Sequence, residues 1–440
     1  MSAAHLRRVD PQWSLDSAEY LSETVSTLRK QLATMITDTQ TATPTRQTVE
    51  QTLLGVIMLG MSTSWHGTSG LGLEHIQGSR ALFQRYIYRR TSSDVSPSEW
   101  PKLSFYLGLQ AYWESIASFL LDQDMDQLDN LHAACTSLPV EANQVNPWTG
   151  VDSTLWVLLA KAGCLVRKRR TLLLHKRTQI SENTDEELES HMQLINQEAL
   201  ALEAQILSYT TPDVSRFEAT EDNRTIISHL ELIARCCRYA ALLELYQAFS
   251  STCDVTAGLR ILMTTNGAWL SEPVAQTHLA VPHAYRALAL GMLMILRSIP
   301  RHSNTKCLHA LFLLIAGSAL SAGPIGPGRH EQPPLQYSVG LSSDSAEKIV
   351  SPSCAVIVTR ASSITCEPLR FWREFVQERM TYLEGAINLD GMRRIKEILN
   401  KVWDYNDSLA SSSGELANRD LVGFVHWIDI MEAYELEFLF

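Results

Sequence analysis

The sequence predicts an all-α protein: an irregular array of packed helical hairpins with no significant sheet. Three observations carry this. Apolar residues recur at three- and four-residue steps along most of the chain. The strict alternation of a half-buried strand is nearly absent. The breaks between periodic stretches hold proline, glycine and capping residues.

The elements follow in order. Ser17 to Thr37 carries Leu21, Val25, Leu28, Leu32 and Met35 as one apolar stripe. Val49 to Met61 is almost continuously apolar and predicts a buried helix. Glu74 to Arg90 keeps Ile76, Leu82, Phe83 and Ile87 at helical spacing. Pro101 opens an aromatic-rich helix through Leu121, at the position where a missing N–H costs nothing. Asn146 to Gly150 reads as a turn, and the next helix runs from Ser153 to about His175. Thr184-Asp185-Glu186-Glu187 has the form of a capping box, opening a helix to about Ser208. Further helices are predicted over Asp222–Phe249, Thr256–Ala268, Val281–Ser298 and Asn304–Ala322. From Gly323 to Pro368 six prolines and many serines end the pattern, predicting a long loop or a disordered insertion in which Ala355 to Val358 is a stray strand candidate. Helices resume at Leu369–Gly385 and Leu389–Tyr405. A Ser-rich link, Ser408 to Gly414, then leads to a terminal helix over Asp420–Leu436. The predicted organisation is an N-terminal segment 1–45, a main body 46–322, the insertion 323–368, and C-terminal helices 369–440 that complete the body. No repeat of fixed period supports a regular solenoid.

Composition narrows the function. Of 440 residues 45% are hydrophobic, enough for a large core, and 37 Lys+Arg stand against 48 Asp+Glu for a net charge of −11. An acidic body is repelled by a phosphate backbone, so direct nucleic-acid binding is not expected. Eight cysteines are scattered, none in a Cys-x-x-Cys pair, as buried reduced thiols would be. Met1 to Ser14 has no apolar core of a secretory signal. The longest apolar run, Leu308 to Ala322, falls short of the roughly 20 residues of a membrane span, so no membrane association is expected.

Motifs of catalysis give little. Cys236 and Cys237 are helical neighbours pointing about 100° apart, which suits core thiols better than ligands of one ion. Gly323, Gly326 and Gly328 are interrupted by Pro324 and Pro327, which remove donors a phosphate cradle needs. No Gly-x-Ser-x-Gly elbow anchors Ser/His/Asp chemistry, and His66, His75, His283 and His309 read as caps or core hydrogen bonders. Asp122, Asp124, Asp126 and Asp129 lack the glycine of a calcium loop and read as a solvated acidic stretch. Asp122, Asp126 and Asp129 could share a helical face. They are the sole candidate metal motif for the rival reading, an all-α enzyme of terpene-cyclase type. A purely structural scaffold is the other alternative. No catalytic, metal or cofactor-binding residue is assigned, and no cofactor is expected. Trp65, Trp113, Trp156, Trp403 and Trp427 sit on apolar stripes and predict core packing. The basic residues Arg167, Lys168, Arg169, Arg170, Lys176 and Arg177 form a candidate nuclear import signal, although cations at a helix C-terminus also complement its dipole.

Four stretches carry a family resemblance. His75, Gly78, Ser79, Arg80 and Leu82 form a His-hydrophobic-x-Gly-Ser-Arg-x-Leu helix. Cys237 to Tyr246 is similar to a Tyr-Arg-x-Ala-x-Leu-Leu-Tyr-Leu helix, and His309 to Ala319 to a Trp-Pro-Leu-Phe-x-Ala-Gly-x-Ala element. Phe371 to Asp407, with Arg379, Val402, Trp403 and Asp407, is followed by His426 to Met431. In this order they resemble the fungal-specific transcription factor domain that follows a six-cysteine zinc cluster in many fungal regulators. The resemblance spans roughly Val49 to Leu439. His309-Ala310 stands where Trp-Pro is usual, and the loop after Gly323 is longer than usual, either a true insertion or a translated intron. The zinc cluster needs six closely spaced thiolates, which this sequence lacks; the DNA-binding segment is expected upstream or dispensed with. The resemblance implies a non-catalytic regulator of metabolic or biosynthetic genes in the nucleus. Its expected partners are proteins of the transcription machinery or a DNA-binding subunit, with a small-molecule effector.

Overall fold

The computed structural model describes residues 17–37, 46–63, 72–91, 96–139, 144–178, 185–255, 281–320, 369–387, 389–412 and 425–438. Among these it is all-α, as predicted. Thirteen α-helices and two short 3-10 helices occur, with no strand beyond one isolated bridge between Asn146 and Gly150. The predicted insertion 323–368 and the predicted helix 256–268 lie outside the described residues, as do Trp65 and His66.

The helices are α1 (Ser17–Thr37), α2 (Arg46–Ser62), α3 (His75–Thr91), α4 (Trp100–Ala117), α5 (Met125–Thr136), α6 (Ser153–Thr178), α7 (Asp185–Ser208), α8 (Ile227–Ala248), α9 (Val281–Ser298), α10 (Lys306–Ser318), α11 (Leu369–Ile387), α12 (Asp390–Ser412) and α13 (Trp427–Ala433). The helix α6 is the axis. Thr154 to Val166 is buried on every side, because α4, α5, α7 and α8 surround it. A helix apolar all round must be buried in this way. α8 and α10 are buried similarly, and α9, α11 and α12 sheathe them. The outer helices are amphipathic instead. On α12, Met392, Ile395, Ile398, Leu399, Val402 and Trp403 are buried at three- and four-residue steps. At about 1.5–3 kcal/mol for each large apolar side chain, this stripe anchors the helix.

The connection before α6 shows how local chemistry fixes a junction. Gly150 adopts φ 74°, a left-handed conformation costly for a residue with Cβ. That closes the Asn146–Gly150 pairing, with N–H···O distances of 2.7 and 2.9 Å. Asn146 Nδ2 then donates to Ser104 O at 2.8 Å, resting against Gly108, where a Cβ would lie 2.2 Å from the amide. Trp156 Nε1 donates to Thr149 O, fixing α6 to the same turn.

Several boundaries differ from the sequence expectation. The Asp122–Asp129 stretch is not simply a solvated run. Asp124 accepts from Asp126 N as the N-cap of α5, whose Leu128, Leu131 and Cys135 are buried. α4 stops at Ala117, and the next residues turn back through Leu121 N···Ala117 O. α8 begins at Ile227, because Asp222 accepts from Arg224 N, Thr225 Oγ1 and Asn304 Nδ2 and holds a turn there. α10 spans Lys306–Ser318, shorter at both ends than predicted. α12 continues to Ser412, through most of the expected link; of the expected terminal helix, residues 420–424 lie outside the described residues and the helix described is Trp427–Ala433.

Candidate functional site

A cavity of about 520 Å³ opens between α3, α4 and α5. Each helix supplies one face. Arg80, Phe83, Gln84 and Ile87 of α3 lie at i, i+3, i+4 and i+7, and Gln110 and Glu114 of α4 lie at i, i+4. Gln127, Asn130, Leu131 and Ala134 of α5 follow the same period, which Ser137 continues at its C-cap. α3 packs chiefly on α2 and stands off from α4 and α5, which leaves the space. The strut across the gap is an ion pair. Arg80 Nε and Nη2 donate to Glu114 Oε1 and Oε2 at 2.8 and 2.6 Å, both residues being buried. Gln110 Nε2 and Gln123 Nε2 add donors to the same carboxylate at 2.7 and 2.9 Å. The paired and hydrogen-bonded charge therefore tolerates burial. Around this floor the walls are mostly apolar, and the exposed Gln84 and Asn130 mark the mouth. This is the composition of a small-molecule site, and the volume falls in the usual range of about 300–1,000 Å³.

The profile of the fungal specific transcription factor domain family matches residues 1–440. The chain belongs to that family. Membership gives it a role in regulating transcription. No curated protein and no solved structure matches it.

In this fungal transcription factor domain the resembling stretches have physical work to do. Arg80 of the first supplies the strut of the cavity. Arg238 of the second donates to Tyr209 O, and Glu244 lies fully buried against the terminal helix. In the third, Gly317 O accepts from Trp403 Nε1 at 2.8 Å. His309, where a tryptophan is usual, is fully buried, with Nε2 3.1 Å from Thr305 Oγ1. Burial, then the charge of Arg379, push its pKa down to about 3. In the fourth, Arg379 donates to Leu296 O and Ile299 O, and Arg373 forms a bidentate pair with Asp407.

The basic run lies at the end of α6, against the terminal helix. Arg167 Nη1 donates to Glu432 at 2.8 Å and to Phe119 O. Arg170 pairs with Asp429 and lies 3.7 Å from Glu432. Arg169 sits over the Phe249 ring. Lys176 is exposed, and the side chain of Arg177 lies outside the described residues. The helix they hold is seated deeply. Trp427 Nε1 donates to Glu244 Oε1 at 2.8 Å, and His426 pairs with Glu244 Oε2 at 3.0 Å. His426 Nδ1 accepts from Ile428 N, so Nε2 carries the proton given to Glu244. His426 and Asp429 together form a capping box.

The other residues singled out in the sequence are dispersed. Asp122 pairs with Arg167 and Asp129 with Lys161, so the two carboxylates serve different cations. No group of three or more His, Cys, Asp or Glu among the described residues is arranged to hold a metal. Cys135, Cys164, Cys236, Cys237 and Cys253 are buried, and Cys307 is exposed. Burial pushes the Cys164 thiol up to about 11, away from the reactive thiolate. Trp113, Trp156, Trp403 and Trp427 are core residues, and none lines the cavity. No helix among the described residues is long and apolar enough to cross a membrane. What sequence reasoning missed is the Glu114 cluster. Its cue was the polar pair Gln110 and Glu114, at i, i+4 in the aromatic-rich helix.

Proposed function

We propose that this chain is a non-catalytic regulatory domain that adjusts transcription of metabolic or biosynthetic genes in a fungal nucleus. It would do so through protein partners and a small-molecule effector, downstream of a zinc-cluster DNA reader. The match of the family to the whole chain carries the reading. The cavity supports its effector half, since it offers a concave site whose surface is mainly apolar, with polar groups set among it. Tethering the chain to an unrelated DNA-binding domain upstream of a reporter tests it. Reporter output should change severalfold relative to the tether alone; unchanged output refutes the regulatory role. Transcript profiling of a deletion strain tests the gene class, and a shift confined to genes outside metabolism removes that part.

The basic run 167–177 is proposed as the import segment. Arg167, Arg169 and Arg170 are engaged within the fold, so the role falls chiefly to Lys168, Lys176 and Arg177. A fluorescent fusion should lose nuclear accumulation when Lys176 and Arg177 become glutamine. Undiminished accumulation would remove the assignment.

A further inference from the structure

We propose that the cavity between α3, α4 and α5 is the effector site, and that it takes a compact, largely apolar molecule bearing a hydroxyl or amine donor, not an acid. The inference deepens the regulatory reading and rests on it for its biological meaning.

The argument begins with Gln110. Its Nε2 donates to Glu114 Oε1, and a carboxylate in an ion pair only accepts. The amide therefore cannot flip, and Gln110 Oε1 is fixed as an acceptor. That oxygen is buried, lines the cavity through its residue, and accepts no hydrogen bond among the described residues. Gln127 Oε1, from α5, is in the same condition. A buried acceptor without a donor is costly, and a ligand supplying the donor recovers that cost. Two walls of the site thus hold unsatisfied carbonyl oxygens just beneath their surface, which an N–H or O–H donor would reach by displacing the side chains that cover them.

Charge points the same way. The guanidinium fork of Arg80 is already turned onto Glu114, leaving little net positive charge at the floor. Asp124 also acts on Arg80 through space, so carboxylates outnumber the cation there. An anionic ligand would meet that excess of negative charge. Phe83, Ile87 and Leu131 supply apolar wall for the rest of the molecule.

The test uses the full 440-residue chain and three probes of one shape: 2-naphthol, 2-methylnaphthalene and 2-naphthoate. In equilibrium dialysis 2-naphthol should bind saturably at one site per chain, with the other two about tenfold weaker or worse. Gln127→Leu should narrow the preference for hydroxyl over methyl. Ala134→Trp should abolish binding by filling the cavity, with helicity and melting midpoint retained. If that variant misfolds, Ala133→Trp at the exposed rim takes its place. Equal or tighter binding of 2-naphthoate overturns the proposal. So does binding untouched by the tryptophan variants, or no saturable binding below about 1 mM. A chain that fails these tests but still alters the tethered reporter loses only the ligand inference. One that binds 2-naphthol but leaves the reporter unchanged loses only the regulatory reading.

Discussion

Glu114 and Glu244 are both fully enclosed glutamates on buried helices, yet one borders an open cavity and the other a sealed seam. At Glu244 the donors are His426 and Trp427, and the Trp427 ring covers them, packed 5.3 Å from Phe119 and 6.2 Å from Phe438. At Glu114 the donors are Arg80, Gln110 and Gln123, and the helix carrying Arg80 is held off by the length of its side chain. A short aromatic donor closes the seam between helices. A long cationic donor props it open and leaves the amide oxygens around it unsatisfied. The same anchoring group therefore serves as a lock in one place and a strut in the other.

The comparison breaks first at the lock. Trp427→Ala should cost about 3–5 kcal/mol, as large-to-small changes at fully buried aromatics do, and it strips a donor from buried Glu244. Chemical denaturation would measure it, and any regulatory loss should follow the lost abundance. A cost below about 1 kcal/mol would mean that the terminal helix is not part of the core.

The strut should break less severely. Arg80→Leu leaves Glu114 buried without its cation, a change costing about 3 kcal/mol or somewhat more. Arg80→Leu combined with Glu114→Gln should recover much of it, because the pair is removed together. Strict additivity of the two single changes would show that the strut is not a coupled pair.

These residues also show how far sequence reasoning reached. The helices Ser17–Thr37 and Val281–Ser298 were legible to the residue, since their apolar steps begin and end sharply. The packing of Trp113, Trp156, Trp403 and Trp427 was legible from their apolar stripes. α5 was hidden by its acid-rich start, although Asp124 is a good N-cap and Leu128, Leu131 and Cys135 keep helical register. Arg80 stood out by its motif, but its partner lies 34 residues away on another helix. Spacing along one helix cannot reveal a pair that only tertiary packing makes. The engagement of Arg167 and Arg170 with α13 was unreadable likewise, since more than 250 residues separate the partners.

Acid response sharpens the contrast between buried groups that lack a full set of partners. His309 has its pKa lowered to about 3, by burial first and Arg379 next. Its contribution to stability is full above the ordinary value near 6.5 and is lost as pH falls from there toward 3. Asp152 has its pKa raised to about 6 by burial, against the hydrogen bonds from Leu155 N and Tyr209. Its contribution is full below the ordinary value near 3.8 and is lost as pH rises from there to 6. The two slopes oppose each other between about pH 4 and 6. His309→Gln should therefore leave unfolding free energy falling as pH rises through that window, and Asp152→Asn should steepen the loss on acidification. Denaturant midpoints across pH 4–7 read both; parallel profiles for the two variants would contradict the assignment.

The smallest effect belongs to the ion pairs that bind α6 to α13 at the rim of the lock. Arg170 is mostly covered, but Asp429 is nearly half exposed and Glu432 over a third, so solvent screens the attraction. Arg170→Gln should cost about 1 kcal/mol or less, and high salt should shrink the difference from wild type. Asp429 adds a pH signature. Burial raises its pKa, but the Arg170 hydrogen bond and charge outweigh that and leave it lowered. The stability it supplies is present above the ordinary carboxylate value and fades as pH falls through the lowered one. In Arg170→Gln that acid loss should shrink, while the pairing of Trp427 with Glu244 stays in place. A salt-insensitive penalty of several kcal/mol would instead make Arg170 part of the lock itself, with the basic run as integral to the fold as Trp427.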